Sequence, residues 1–215
     1  MLSLPYIAGE NNTQITSRSV NVESKIEGPS KPNSTYQGVS IKPRIEALLC
    51  KIDIQIVKFG RIIEEITLID DKLLKKRALS IKENNSQYSA VLSLDIAHSR
   101  RIIKILYFSK IAFEKIKNKL QAISNFGDIV DVLSPAMTVV KNIRACLIPC
   151  IPESEEELGI ISELLGCILI DAGQVGGHTI NFKVANEEAV RLLNEASLAA
   201  EQNIKKIFVD IQNYQ

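Results

Sequence analysis

The sequence has no tryptophan, and aromatic residues make up only 5% of its 215 positions. Isoleucine, leucine, valine and alanine supply the apolar content instead, which is typical of long helices rather than of a β-sandwich. At this length we expect one or two domains. No uncharged apolar run approaches the roughly 18 residues that span a bilayer, and the start lacks the basic region of a secretory signal. We therefore expect a soluble or peripheral protein.

Motifs for catalysis or cofactor binding are also missing from the sequence. It contains no GxxxxGK[ST], GxGxxG, HExxH or GxSxG pattern. His98 has no acidic or nucleophilic companion, and the glycines at 173, 176 and 177 follow no strand and precede no Lys-Ser or Lys-Thr. We expect no catalytic residue and no cofactor.

Four cysteines lie at positions 50, 146, 150 and 167, without a CxxC pair, and only two histidines accompany them. Cys146 and Cys150 are one helical turn apart, but structural zinc requires four convergent ligands. We expect buried, reduced thiols and no bound metal.

Charged side chains are divided unevenly along the chain. The first 40 residues carry three of each sign, residues 41–125 carry 17 basic and 9 acidic, and residues 126–215 carry 6 basic and 13 acidic. The three segments are therefore neutral, +8 and −7. This asymmetry indicates that the middle binds an anionic partner, that the acidic end folds back onto it, or that the two alternate.

Changes of pattern along the chain predict its organisation. Residues 8–40 are rich in Asn, Ser, Thr, Gly and Pro and show no apolar period, which is typical of a loosely ordered tail. The predicted parts are a tail (1–40), a basic helical hairpin (41–125), third and fourth helices (126–170), a flexible linker (171–185), a C-terminal helix (186–208) and a short tail (209–215).

A helical period begins near Ser40, with Pro43 suited to a first helical turn. Heptads counted from Ile45 predict an amphipathic helix of about 35 residues. Its a and d positions are Ile45, Leu48, Ile52, Gln55, Phe59, Ile62, Ile66, Ile69 and Leu73. Cations at the g positions form a stripe beside this seam: Arg44, Lys51, Lys58 and Lys72.

A polar break with Asn84-Asn85 as a turn precedes a second long helix, predicted at 87–124. Two such helices joined by a short turn predict an antiparallel hairpin about 50 Å long. The apolar face of the second helix contains Leu92, Ile96, Ile103, Leu106, Phe113, Ile116, Leu120 and Ile123.

Three shorter helices are predicted after the hairpin, at 126–147, 154–170 and 186–208, and no strand pattern is present. The expected fold class is therefore all-α. Ser154 and Asn186 are predicted N-caps because acidic residues follow each of them. Pro135 inside the third helix, with Pro149 and Pro152 after it, predicts hinges, since an interior proline removes a hydrogen bond and kinks a helix at a cost of about 3 kcal/mol.

The basic hairpin leaves three interpretations open. A solvated charged face is the simplest, as on any long helix. Nucleic-acid binding uses the same cations, but stacking aromatics are few and no known reading motif is present. An anionic membrane requires only a row of Lys and Arg, each contributing about 1 kcal/mol near such a surface.

Three segments of the sequence help to choose between these interpretations, because they resemble segments of a known family. They are "FGDIVDVLSPAMTVVKNIRACL", "PESEEELGIISELLGCILIDAG" and "EEAVRLLNEASLAAEQNIKKIF". With the order of elements and the charge reversal, they resemble the archaeal cell-division proteins of the CdvB group, relatives of eukaryotic ESCRT-III, over residues 43–208. The "LSPAM..VKN.R" portion is the most specific.

The resemblance implies a non-enzymatic subunit that forms filaments and remodels membrane in archaeal cell division or vesicle formation. In the closed monomer of this family the acidic C-terminal helix packs on the hairpin, and in the open polymer the second and third helices extend. We therefore expect membrane or polymer contacts at Arg44, Lys51, Lys58, Arg61, Lys72, Arg100, Arg101 and Lys104.

The implied partners are further copies, CdvB-group paralogues and an anionic membrane, with the CdvC-type AAA ATPase reached indirectly or weakly and no nucleic acid. The implied location is the cytoplasmic face of the cell membrane at the division site. No winged-helix domain or ATPase-recruiting proline-rich segment follows residue 208, so we expect a short paralogue. The rival hypothesis is a soluble helical adaptor that does not polymerise.

Overall fold

Helices account for nearly all of the chain that the computed structural model describes, which comprises residues 41–124, 126–176 and 181–212. No strand occurs in these ranges, and the predicted all-α class is confirmed. The predicted N-terminal tail lies outside the described residues. The helices are α1 (Ile41–Lys82), α2 (Ser86–Gln121), α3 (Phe126–Leu147), α4 (Glu155–Gly176) and α5 (Phe182–Gln212), with a 3₁₀ turn (Pro152–Ser154) before α4.

The buried side of α1 follows the heptad pattern at first and then departs from it. Leu48, Ile52 and Phe59 are fully buried as predicted, but Ile69, a predicted d position, is 49% exposed, and Asp70 is buried in its place. A straight α-helix drifts about 20° per heptad relative to a 3.5-residue repeat, so the buried side moves from d to e by the fourth heptad.

α1 and α2 pack against each other along their length. Asp53 pairs with Lys117 at 2.6 Å, and Asp70 pairs with Arg100 at 3.2 Å. Residue numbers rise on α1 as they fall on α2, so the two helices run antiparallel. Between these pairs, Phe59 meets Phe113 with ring centroids 6.0 Å apart.

Two asparagines form the turn between α1 and α2, as predicted. Asn84 has a φ of 56°, a left-handed conformation that asparagine tolerates better than most residues. The side chain of Asn85 accepts a hydrogen bond from the backbone N–H of Tyr88 at 3.1 Å, which caps α2.

α3 keeps its predicted bounds and contains Pro135, which is buried within it. Pro149 and Pro152 are exposed and lie in the connection to α4. This connection closes with a backbone hydrogen bond of 2.8 Å from Ile151 to the carbonyl of Leu147. Proline at the start of the 3₁₀ turn costs nothing, because its missing N–H would have no partner there.

α4 differs from its prediction at both ends. The Ser154 hydroxyl is buried and makes no hydrogen bond to any described residue, so the predicted side-chain cap is wrong. The helix also continues through Gly176, past the predicted end at 170. Ala172 is completely buried, and this burial favours the longer helix against the cost of about 1 kcal/mol for a glycine inside it.

α5 begins at Phe182, four residues before the predicted start. The side chain of Asn181 accepts from the N–H of Val184 at 3.3 Å, so Asn181 rather than Asn186 caps the helix. With α4 ending at Gly176, the predicted linker (171–185) is too long, and residues 177–180 lie outside the described ranges.

The four cysteines are free, and the expectation that they are buried is wrong. Cys50, Cys146 and Cys167 are exposed and Cys150 is half-buried. Each of the three lies on the solvent side of its helix, because neighbouring positions already fill the core.

α3 packs against α2, α4 and α5, while α4 also lies on α1 and α5 on α2. The shared core consequently involves the parts of α1 and α2 that are remote from their turn. Near the turn, large apolar side chains remain exposed, among them Leu68, Leu79, Val91 and Leu94 at 54% or more.

Candidate interaction surface

α4 lies along α1 with its acidic side chains against cations. Arg44 forms an ion pair with Asp171, and the Lys58 ammonium lies 2.8 Å from Oε1 of Glu157. That hydrogen bond from Lys58 lowers the pKa of the Glu157 carboxyl. The two pairs show that α4 runs antiparallel to α1.

α5 lies along α2 in the same way, with its acidic side chains against the cations of α2. Lys119 pairs with Glu188 at 2.7 Å, and Lys115 pairs with Glu195 at 2.6 Å. Lys104 pairs with Glu201 at 2.9 Å. Within the described residues, five ion pairs therefore join the basic pair of helices (α1 and α2) to the acidic helices (α4 and α5).

Small apolar residues allow α5 to approach closely. Ala189, Ala196 and Ala200 are completely buried, and Leu192 is 3% exposed. Their spacing of three and four residues places them on one side of the helix. The buried side binds α2 and α3, and the glutamates at its edge reach the lysines of α2.

Glu188 is the most strongly stabilised carboxylate of this surface. Arg191 donates to both of its oxygens, each at 2.8 Å. Together with the Lys119 ammonium, these bonds lower the pKa of Glu188 from its ordinary 4.5 to about 2. Glu195 and Glu201 also have lowered pKa values, chiefly because Lys115 and Lys104 donate to them.

Near the end of α5, Phe208 lies over Arg100, with 4.4 Å between the guanidinium carbon and the ring centroid. Arg100 also donates to Asp70, whose side chain has no exposed surface. Burial raises the pKa of Asp70, and the nearby Arg100 only partly opposes this rise. The other Asp70 oxygen, Oδ1, has no hydrogen-bond partner among the described residues.

Apolar contact, rather than charge, supplies most of the free energy that holds the acidic helices in place. The paired side chains are 23–53% exposed, and exposed ion pairs typically contribute 0–1 kcal/mol each. The ion pairs fix register and make the contact sensitive to competing charges.

The eight predicted contact residues do not gather on one open surface. Four of them make ion pairs within the chain: Arg44, Lys58, Arg100 and Lys104. The other four are exposed and have no ion-pair partner among the described residues: Lys51, Arg61, Lys72 and Arg101.

Several residues of the surface were not among the predicted contacts. Lys115 and Lys119 are four residues apart on α2, whereas the glutamates that they bind are seven apart on α5, so equal spacing in the sequence does not identify these pairs. No sequence signal marks the contact of Phe208 with Arg100. Lys75 and Lys76 extend the exposed cations of α1 beyond Lys72.

Within the described ranges, no helix is both long enough and apolar enough to cross a membrane. Those ranges also contain no group of three or more His, Cys, Asp or Glu placed to hold a metal ion.

Sequence comparison finds two archaeal relatives that cover most of the chain. The chain is 31% identical over 180 residues to cell division protein B1 of Sulfolobus acidocaldarius, covering 83% of this chain and 80% of that protein. It is 24% identical over 173 residues to cell division protein B of the same organism, covering 80% of this chain and 66% of that protein. No family model and no solved structure matches the chain.

These features define an all-α protein whose acidic C-terminal half is docked on a basic pair of long helices. The chain belongs to the CdvB group of archaeal cell division proteins, relatives of ESCRT-III.

Proposed function

We propose that this chain is a filament-forming subunit that remodels membrane during archaeal cell division or vesicle formation. The two relatives reported above are cell division proteins. In the arrangement described above the acidic helices cover the basic pair of helices, which is the closed form that the family resemblance implies. Filaments then arise when α4 and α5 leave α1 and α2.

The observation that carries this proposal is the set of five ion pairs between the two halves. Arg44, Lys58, Lys104, Lys115 and Lys119 are neutralised by acids of the same chain. An anionic membrane or the acidic helices of another copy offers equivalent partners. Closure and assembly therefore compete for the same cations, and a small change in free energy moves the population from one to the other.

The proposed partners follow from this competition. They are further copies of the chain and its paralogues, and an anionic membrane at the inner face of the cell at the division site. The CdvC-type ATPase acts on the assembly indirectly or weakly. The three prolines, Pro135, Pro149 and Pro152, are proposed hinges for the change between forms.

Charge reversal on α5 tests the proposal. The variant Glu188→Lys, Glu195→Lys, Glu201→Lys repels α2 and releases α5, so we expect filaments or tubes by negative-stain microscopy at concentrations where the unchanged chain is monomeric. Restoring the attraction with Lys104→Glu, Lys115→Glu and Lys119→Glu is expected to return the monomer.

A matched control alters net charge equally without touching these pairs: Glu153→Lys, Glu163→Lys and Glu187→Lys, all exposed. It is expected to remain monomeric. Absence of filaments in the unchanged chain and in the opened variant, at every concentration and with anionic vesicles present, contradicts the proposal and favours a soluble helical adaptor.

A further inference from the structure

One side of α1 near its turn carries exposed leucines and lysines together. Leu68 is 61% exposed and Leu79 is 58% exposed. Lys72, Lys75 and Lys76 between them are exposed and have no ion-pair partner in the described part of the chain. At 100° per residue, these five positions fall within an arc of about 100°. We call them the outer stripe of α1.

The other helices that the structure describes leave this stripe uncovered. The opposite side of the same segment faces α2, where Ile63 and Asp70 are buried. The ion pairs that hold α4 on α1 involve Arg44 and Lys58, at least ten positions before the stripe. The stripe is consequently accessible while the acidic helices are docked.

Charge is concentrated on this segment. Residues 72–82 contain five lysines and arginines and no acidic residue. Glu65 lies on the same side of α1, one turn before Leu68, and Glu83 follows the end of the helix, so acidic residues bound the stripe at both ends. The three lysines of the stripe make no ion pair with any residue that the structure describes.

We infer that the outer stripe of α1 is a docking surface for an anionic lipid membrane, an inference that rests on the proposed membrane role. Lysine stems extend along the apolar boundary while their ammonium groups reach lipid phosphates. The two leucines enter the boundary between headgroups and acyl chains, as in helices that lie in a membrane interface. The closed monomer is thereby able to reach a membrane before α4 and α5 release the paired cations.

The apolar component favours a membrane over a nucleic acid. Nucleic-acid binding draws on aromatic stacking, and the stripe contains no aromatic residue. Exposed leucines add nothing to phosphate binding, but they strengthen attachment to a lipid interface.

Co-sedimentation of the full chain with vesicles tests this inference. The vesicles contain phosphatidylcholine alone or an equimolar mixture with phosphatidylglycerol. We expect binding to the mixture only. Lys72→Glu, Lys75→Glu, Lys76→Glu is expected to weaken that binding tenfold or more, and the corresponding glutamine variant to give an intermediate loss. Leu68→Ser, Leu79→Ser is expected to weaken it several-fold.

The control variant Lys141→Glu, Lys183→Glu, Lys206→Glu makes the same charge change at exposed positions of α3 and α5. It is expected to bind within twofold of the unchanged chain. Equal loss in the control overturns the inference, because net charge alone then explains binding. Unchanged vesicle binding by both stripe variants also overturns it, even if they lose binding to an oligonucleotide or to a second copy.

Filament formation is measured on the same variants without vesicles. If the unchanged chain binds anionic vesicles and the stripe variants bind equally well, only the stripe assignment fails and the proposed function stands. If the unchanged chain forms filaments but binds no vesicle, the proposed membrane role fails with it.

Discussion

Phe208 of α5 lies over the guanidinium of Arg100 on α2, 4.4 Å from ring centroid to guanidinium carbon. Arg100 is held by Asp70 of α1 at 3.2 Å. The end of α5 therefore contacts a cation that both long helices position. This contact lies nearest the turn of α1 and α2, beyond the last ion pair of α5, Lys104 with Glu201.

Replacing Phe208 with alanine is expected to loosen the end of α5 selectively. A cation–π contact contributes about 0.5–2 kcal/mol, which corresponds to a roughly 2- to 30-fold faster amide hydrogen exchange. We expect this increase at residues 201–208, with residues 189–196 unchanged because their contacts with α2 and α3 remain. Lys206→Ala, an exposed change two residues away, is the control. Uniformly faster exchange along α5 contradicts a local role.

Asp70 holds Arg100 in place beneath Phe208, but the burial of its charged carboxylate lowers the stability of the folded protein. Its raised pKa, caused first by burial, means that the folded protein disfavours its charge. A raised pKa contributes stability below the unfolded value, and that stability is lost as pH rises through the folded pKa. Asp70→Asn removes the charge and retains the shape, so we expect a higher melting temperature at pH 7.

The benefit of Asp70→Asn is expected to shrink as the pH falls, because Asp70 then becomes neutral in the unchanged protein as well. Circular dichroism melts at pH 7 and pH 4 measure the difference. Asp95→Asn on the exposed side of α2 is the control, with no change expected at either pH. A lower melting temperature for Asp70→Asn at pH 7 contradicts the argument and assigns more free energy to the bond with Arg100.

Acid is expected to lower the stability of the folded chain through Glu188, which is bound by Arg191 of α5 and by Lys119 of α2. Its pKa is lowered to about 2, mainly by the bonds from Arg191. A lowered pKa gives stability above the unfolded value, and that stability is lost as pH falls through the folded pKa, here between about 4.5 and 2. With allowance for solvent screening, the loss from this residue is on the order of 1–2 kcal/mol.

Urea unfolding at pH 7 and pH 3 measures this effect. Glu188→Gln is expected to be less stable at pH 7 and to lose less stability on acidification than the unchanged protein. Glu187→Gln, exposed on the same turn, is expected to match the unchanged protein at both pH values. Equal losses in all three proteins contradict a special contribution from Glu188.

The helices could be predicted from the sequence because apolar spacing records which side of each helix is buried. Seven of the eight predicted apolar positions of α2 are buried, and only Ile123, beyond the end of the helix, is not. The burial of Asp70 in place of Ile69 was not predicted, because a heptad count accumulates an angular error along a straight helix. The start of α5 was missed because Asn186, followed by two glutamates, was predicted as the cap, whereas Asn181 accepts the capping hydrogen bond from Val184.

The candidate surface was less predictable than the fold. The charge reversal at residue 126 left open an anionic partner for the basic middle, docking of the acidic end on it, or both in alternation, and it did not say which side chains meet. Lys58 was predicted to contact a membrane or a polymer, yet it binds Glu157 of α4. Which side chains form ion pairs depends on how the packed helices are rotated relative to one another. The local sequence pattern does not encode this rotation.

Pro135 offers a test of the proposed hinge in α3. It lies between Leu133 and Ala136, which are buried, so the helix tolerates a proline inside a packed region. Alanine restores a backbone donor and favours an unkinked helix by up to about 3 kcal/mol. If α2 and α3 extend in the proposed open form, Pro135→Ala is expected to lower the concentration at which filaments appear several-fold, measured by sedimentation and negative-stain microscopy.

Thr138→Ala is the matched control for this change, because it raises the helix propensity of α3 without replacing the interior proline. It is expected to leave the concentration for filament formation within twofold. If Pro135→Ala raises thermal stability but does not move the balance between monomer and polymer, the proline only kinks α3 and the hinge must lie elsewhere. An equal shift in both variants assigns the effect to helix stability, since a hinge at Pro135 requires the proline change alone to act.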